Sequence, residues 1–448
     1  MTEARLSSTA ILFSLLVVAL ALPAVGTAAD ANWPHWRGPA GTGVAPEGNP
    51  PIEFSNEKNV RWSWADPGLG FSSPIVWEDT VFVTTVMKSD DSSAPVEPDQ
   101  KGMFGQKELA TPRLFLLVAI ARETGEERWR RVAREAVPHE GFHKTLSSFS
   151  NMSPVTDGEQ VFVSFGSQGL FAYNLEGELA WQQDFRVEMS MFNRFGEASS
   201  PALWGNTLVL SFDHEGDSFA VAVDKRDGSV LWRKEREDEG TNWSSPFIVV
   251  HEGRAQAVIN GGSFVRSYDL ETGEVLWKVS GMTKGPIPVP VPGDGMVYLA
   301  SGTNGQVFKA IRLGGSGDLT GTAAEVWTLQ KGVPYNPTPL LWGDEIYLVK
   351  EGMKGPTFVS ALDARTGAEH YLNARLPSSY VIRSSPVGAG DQIYLGTEEG
   401  DVLVLRRGTE LEVLAVNPMG EQILATPAIA GDDIFVRTRG HLYRIAAE

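Results

Sequence analysis

From residue 59 to its end the chain is written in short apolar runs whose hydrophobic and polar positions alternate, each bounded by Gly, Asp or Asn. A period of two over five or six residues is the signature of β-strands, and the runs come in sets. Each set opens on a small-residue segment, as in SSPIV, SSPAL, SSPFI and SSPVG, and continues after a turn into an alternating run such as VFVTT, VFVSF, LVLSF, VYLAS or IYLGT. Two further runs follow, joined by a glycine turn and ending in tryptophan: AIARETGEERW (119–129), AVDKRDGSVLW (222–232), SYDLETGEVLW (267–277) and the shorter AYNLEGELAW. The pattern predicts an all-β chain of four-strand units.

Eight prolines hold these units in one phase: Pro74, Pro154, Pro201, Pro246, Pro290, Pro339, Pro386 and Pro427. After Pro154 they are spaced 41 to 49 residues apart, the period of a propeller blade. The first interval is longer because of two polar insertions, Lys88 to Leu109 and Val132 to Ser150, which read as surface loops. Proline is tolerated at the first residue of a strand, where its missing N–H leaves no gap in the ladder. The Ser or Thr before it (Ser73, Ser153, Ser200, Ser245, Thr338, Ser385, Thr426) suits a crowded axis where innermost strands converge. Trp129, Trp181, Trp232, Trp277 and Trp327 are expected to wedge between adjacent blades, with Tyr371 in the same phase of the sixth. The seventh unit carries only LEVLAV there, so a weaker contact is expected.

After Pro427 the chain supplies two more runs, IFVRT and LYRIAA, and is one strand short of a unit. The orphan run NVRWSW (59–64) completes it and removes the open edges. The expected architecture is therefore an eight-bladed β-propeller of four-stranded antiparallel blades, its last blade closed by the N-terminal strand. Residues 1–29 read as a signal peptide, 30–58 as an irregular segment and 59–448 as the single propeller domain.

Arg5, the apolar run Ala10 to Val25 and the small residues before Asp30 fit a cleaved secretory signal, which predicts a periplasmic or secreted protein. No later run reaches the roughly 20 apolar residues of a membrane span, so no transmembrane segment is expected after cleavage. The absence of cysteine excludes disulfides, thiolate metal sites and a lipid-bearing cysteine. A net charge of −18 argues against nucleic acid as a partner. A monomer is expected.

At its A-x-D-x-x-T-G-x-x-x-W junctions the chain resembles the PQQ-like β-propeller repeat family. That family includes quinoprotein alcohol dehydrogenases and the B-component scaffold lipoprotein of the outer-membrane β-barrel assembly machinery. The resemblance covers about residues 59 to 448, and WPHWRGPAGTG (33–43) is similar to the opening of secreted single-domain members. Three departures bear on blade docking: Ala121 replaces the first junction's Asp, GGSGDLTGTAA (314–324) splits the fifth junction, and LVLRRGTELEV is degenerate.

The resemblance implies two functions. One is a non-catalytic exported scaffold that binds a protein or peptide partner; the other is a PQQ- and calcium-dependent alcohol or sugar dehydrogenase. The second needs an aromatic floor, hard oxygen ligands and a carboxylate base. Trp243, three residues before Pro246, is the floor candidate, with Asn151, Asn336 and Arg383 in the same phase of other blades and His143 and Lys144 over the channel entrance. No cofactor is predicted. His139 and His143 form an H-E-x-x-H match, the spacing that puts two imidazoles on one helical face toward zinc. Pro138 and Gly141 argue against a helix there, which leaves metal-dependent hydrolysis a remote third function. Asp213 and His214 are a candidate acid–imidazole pair, whereas Asp224, Asp269 and Asp363 belong to the junction turns. The leading expectation is the scaffold.

Overall fold

The computed structural model describes residue 1 and residues 32–89, 111–302, 305–350 and 356–447. The signal-peptide run and nearly all of the Lys88 to Leu109 insertion lie outside the described residues. Among the described residues the strands form eight antiparallel sheets, blades 1 to 8 in chain order over residues 75–136, 155–183, 202–235, 247–280, 291–329, 340–375, 387–418 and 428–445. Val60–Ala65 pairs with His441–Ile445, so the first strand of the propeller completes blade 8. No described helix is long and apolar enough to cross a membrane.

Each sheet is sandwiched between two others, so its middle strands are buried on both faces, as in Thr80–Lys88 and Met296–Ser301. Outer strands alternate instead, as in Val230–Glu235. The core is accordingly a ring of inter-blade seams, one of which packs Ile75 and Phe82 of blade 1 against Val161 and Phe171 of blade 2.

The hydroxyls that precede the phase prolines tie this ring at its axis. Ser73 N–H donates to Ser153 Oγ (2.9 Å), Ser153 to Ser200 (2.9 Å) and Ser200 to Ser245 (2.8 Å). Val289 N–H donates to Thr338 Oγ1 (3.1 Å), Thr338 to Ser385 (2.9 Å), Ser385 to Thr426 (3.0 Å) and Thr426 back to Ser73 (3.0 Å). The link between Ser245 and blade 5 is not of this kind, because Val289 has no hydroxyl.

At the outer radius the junction motif explains itself. Four of the five junction tryptophans donate Nε1–H to a carbonyl in the glycine turn of the next blade: Trp129 to Leu175, Trp181 to Lys225, Trp232 to Leu270 and Trp327 to Ala364, at 2.7–3.0 Å. The turn glycine lies against the indole. A Cβ on Gly177, Gly228, Gly273 or Gly367 would sit 2.5–2.7 Å from that ring, at a positive φ that already favours glycine. Trp62 repeats the contact across the closure, donating to Arg122 of blade 1 over Gly125. The junction aspartates accept turn hydrogen bonds, Asp269 from Thr272 N–H (2.9 Å) and Asp363 from Thr366 N–H (2.8 Å).

Several expectations are corrected. Two sheets carry a fifth, parallel strand: Gly317–Asp318 on the outer edge of blade 4 and Val44–Ala45 on the innermost strand of blade 7. The first comes from the split fifth junction, and without a turn in register Trp277 donates to Gln256 of its own blade (2.9 Å) instead of docking across. The second insertion is no surface loop over its whole length. Residues 132–136 continue the strand Glu127–Ala136, and beyond them Phe142, Ser148 and Ser150 are buried. Asp213 pairs with Arg236 (2.8 and 2.9 Å), both fully buried, and not with His214. The blade 7 seam gains the strap aromatic Phe54, which is 3% exposed and donates its N–H to Asn417 Oδ1.

Residues 32–58 strap one face of the disc. Trp33 bridges Val76 of blade 1, Pro34 O accepts from Thr156 of blade 2, and Gly43 O accepts from Gly388 of blade 7. Arg37, fully buried, donates to Pro386 O (2.6 Å), Thr42 O (2.8 Å) and Pro339 O (3.1 Å). These ties span the axis, so the segment stoppers the central channel at one end.

Candidate functional site

With one end stoppered, the channel becomes a blind funnel of about 420 Å3. Two stacked rings line it. The inner ring is the hydroxyl girdle, with Val289 in the eighth place. The outer ring is the position three residues before each phase proline, and all eight members face the cavity: Asn151, Trp243, Asn336 and Arg383, as expected, together with Phe71, Ala198, Ile287 and Leu424. The four missed residues stand in the same register; attention to polar and aromatic types passed them over. Trp36 of the strap forms the floor, and its Nε1–H has no hydrogen-bond partner among the described residues. Nothing periodic marks Trp36, because its place depends on how the strap crosses the ring.

The segment 137–151, between blades 1 and 2, reaches across the mouth. His143, Leu146 and Ser147 line the funnel, and Gln422 beside blade 8 donates to Thr145 O (3.3 Å). The His143 ring meets Phe195 edge-on, centroids 4.9 Å apart, and burial holds the imidazole below its usual pKa, so it is neutral at pH 7. Lys144 is exposed and is not part of the lining.

The polar groups of the wall are engaged with one another. Asn151 Nδ2 donates to Ser147 Oγ, Ser148 O and Glu197 O at 2.8–2.9 Å, while its Oδ1 accepts from Ser148 N–H (3.0 Å). Arg383 Nε donates to Glu398 Oε1 (2.6 Å) and Nη1 to Asn336 Oδ1 (2.9 Å), which neutralises the guanidinium. Trp243 donates Nε1–H to Gly196 O (2.8 Å), leaving its ring as the contact surface. The funnel therefore presents π faces, aliphatic groups and neutral hydroxyls.

That donor set is a poor match for a calcium-held quinone. No aspartate or glutamate lines the funnel among the described residues, and the side-chain oxygens of both asparagines already accept hydrogen bonds. The H-E-x-x-H residues form no helix and diverge. His143 faces the funnel, whereas His139 Nε2 turns away to Met189 O (2.8 Å), and no group of His, Asp and Glu suited to a metal ion occurs among the described residues.

Comparison with known proteins places this geometry. The family model described as outer membrane protein assembly factor BamB matches residues 93–263 and 261–448, leaving the strap outside the match. Outer membrane protein assembly factor BamB of Burkholderia pseudomallei (strain K96243) is 25% identical over 325 residues, covering 71% of this chain and 76% of that protein. Quinohemoprotein alcohol dehydrogenase from Comamonas testosteroni shares the fold at a TM-score of 0.61 and 12% identity, over 93% of this chain and 80% of its own. BamB from Moraxella catarrhalis gives a TM-score of 0.40 at 14% identity, over 66% of this chain and 94% of its own.

Proposed function

The chain belongs to the family described as outer membrane protein assembly factor BamB, and on that premise we propose that it is an exported, non-catalytic scaffold. Its blind funnel takes an apolar or aromatic side chain from an extended segment of a partner protein. The observation that carries this reading is the state of the funnel wall: its charges are cancelled and its polar atoms are paired, so what remains for a ligand is the Trp243, Phe195 and Phe71 rings, Trp36 on the floor and the aliphatic ring members. Such a surface rewards burial of an uncharged group and repays little for an ionic one. The apolar run Ala10 to Val25 supports a periplasmic or secreted location, and the charge of −18 favours a partner segment flanked by basic residues.

Calorimetric titration of the protein with extended peptides tests the assignment. Peptides carrying Phe or Trp should bind and their Asp-substituted forms should not, with Trp243→Ala weakening binding about tenfold, or about 1.4 kcal/mol. Equal binding of both peptide sets, or full affinity in Trp243→Ala, would contradict it. Titration with PQQ and calcium separates the rival occupant: quinone-dependent dye reduction with alcohols or sugars would replace the scaffold reading by the dehydrogenase one.

A further inference from the structure

Two carboxylic acids with no part in that binding surface are buried in the funnel wall behind it. Glu140 comes from the segment after blade 1 and is 8% exposed; Glu197 comes from the segment entering blade 3, its side chain 13% exposed. Both line a cavity of about 30 Å3, enough for a single water, together with His139 and the rings of Phe115, Phe149 and Phe165. Glu197 accepts Ser167 N–H and Oγ–H (both 2.7 Å), and Glu140 accepts Met191 N–H (3.1 Å). His139 Nε2 stands 3.8 Å from Glu197 Oε1 and donates to Met189 O.

These acids sit at the seam between the two segments that build one side of the funnel. Segment 137–151 carries His143, Leu146 and Asn151; segment 186–199 carries Phe195 and Ala198. The backbone around Glu197 is what holds the ligand-facing residues, since Glu197 O accepts from Asn151 Nδ2 and Gly196 O accepts from Trp243 Nε1. We propose that Glu140 and Glu197 are a proton-operated latch: protonated, they let the two segments close on each other, and ionised together they push the segments apart and loosen the funnel wall.

Burial, with the neighbouring Glu197 charge adding to it, pushes Glu140 up to about 7, and burial raises Glu197 as well. His139 and Arg194 draw Glu140 the other way. From blade 3, His214, its pKa lowered by burial, accepts Ser190 N–H (3.2 Å), and Glu215, whose carboxylate accepts Thr241 Oγ1–H (2.7 Å), donates its backbone N–H to Ser190 O (2.8 Å), so these two residues anchor segment 186–199 on its far side. A carboxyl whose folded pKa lies above its unfolded value stabilises the closed form fully at low pH, and that contribution is lost as the pH rises through the folded pKa, here near 7. The consequence for binding rests on the funnel reading; the latch itself does not.

Hydrogen exchange of the ligand-free protein between pH 5 and 8, corrected for the intrinsic rate, reads the latch directly. Protection of residues 137–151 and 186–199 should fall by about fivefold or more across this range while the middle strands of blade 6 keep theirs, and Glu140→Gln should abolish the fall. A flat wild-type profile, or the same fall in folded Glu140→Gln, overturns the latch. Should that variant not fold, infrared detection of a protonated carboxyl in the wild type above about pH 6 replaces it; no such band overturns the proposal. Peptide binding with a flat profile would sink the latch and spare the funnel, and a pH-dependent profile without peptide binding would do the reverse.

Discussion

The two ends of the central channel are closed by different means. At the strap end Trp33 and Arg37 are fully buried, and the ties run from strap backbone and guanidinium to carbonyls of blades 1, 6 and 7. Burial draws the Arg37 guanidinium down to about 9, which still leaves it a cation at neutral pH, held by carbonyl dipoles without a carboxylate. At the funnel end the closing residues are half-buried side chains that satisfy each other, backed by the Glu140 carboxyl, which burial pushes up to about 7. Backbone ties to a rigid ring resist opening, while side-chain ties across loops can be exchanged for a ligand.

Trp33→Ala should break the strap end with the largest effect. A fully buried indole replaced by a methyl group loses about 3–5 kcal/mol, read as a lowered urea midpoint, and peptide affinity of the folded fraction should be unchanged. A loss below about 1 kcal/mol would show that the strap is decoration and not a stopper. Trp243→Ala should invert the pattern, with about 1–2 kcal/mol of stability lost beside the tenfold loss of binding. If Trp243→Ala proves the more destabilising of the two, the division between a fixed end and a working end fails.

The contrast also separates what is legible in the sequence. Blade number and phase were readable because they rest on positions repeated along the chain, and closure through residues 59–64 because the last unit lacks a strand that this run supplies; the Ser and Thr of the axis were visible as small residues, but not the hydrogen bonds that link them. The funnel was half readable for the same reason: Asn151, Trp243, Asn336 and Arg383 were visible by residue type, and Phe71, Ala198, Ile287 and Leu424 could have been found by register. Trp36, the Glu140 and Glu197 pair and the inward turn of segment 137–151 were not. They come from single-copy segments whose positions are set by long-range packing, such as Phe142 against Leu69 and Phe71. Lys144 stays outside the lining although it adjoins His143, because proximity in sequence says nothing about which way a loop residue turns.

The smallest expected effect tests whether the girdle contributes stability or only reports the packing. Seven of its links join the residue before one phase proline to the hydroxyl of the next, and the place left without a hydroxyl is Val289. Threonine already serves at the same register in blades 6 and 8, so Val289→Thr asks for no new shape, only a hydroxyl within reach of Ser245 N–H. A buried backbone hydrogen bond is worth about 0.5–1.5 kcal/mol net, and burying the new hydroxyl offsets part of it. The variant should therefore gain up to about 1 kcal/mol, whereas Ser153→Ala should lose about as much by leaving Ser73 N–H unpaired. Equilibrium denaturation of the pair decides it: a gain and a loss of similar size make the girdle a stabilising closure, and two null results would leave the apolar seams and the strap as what holds the ring.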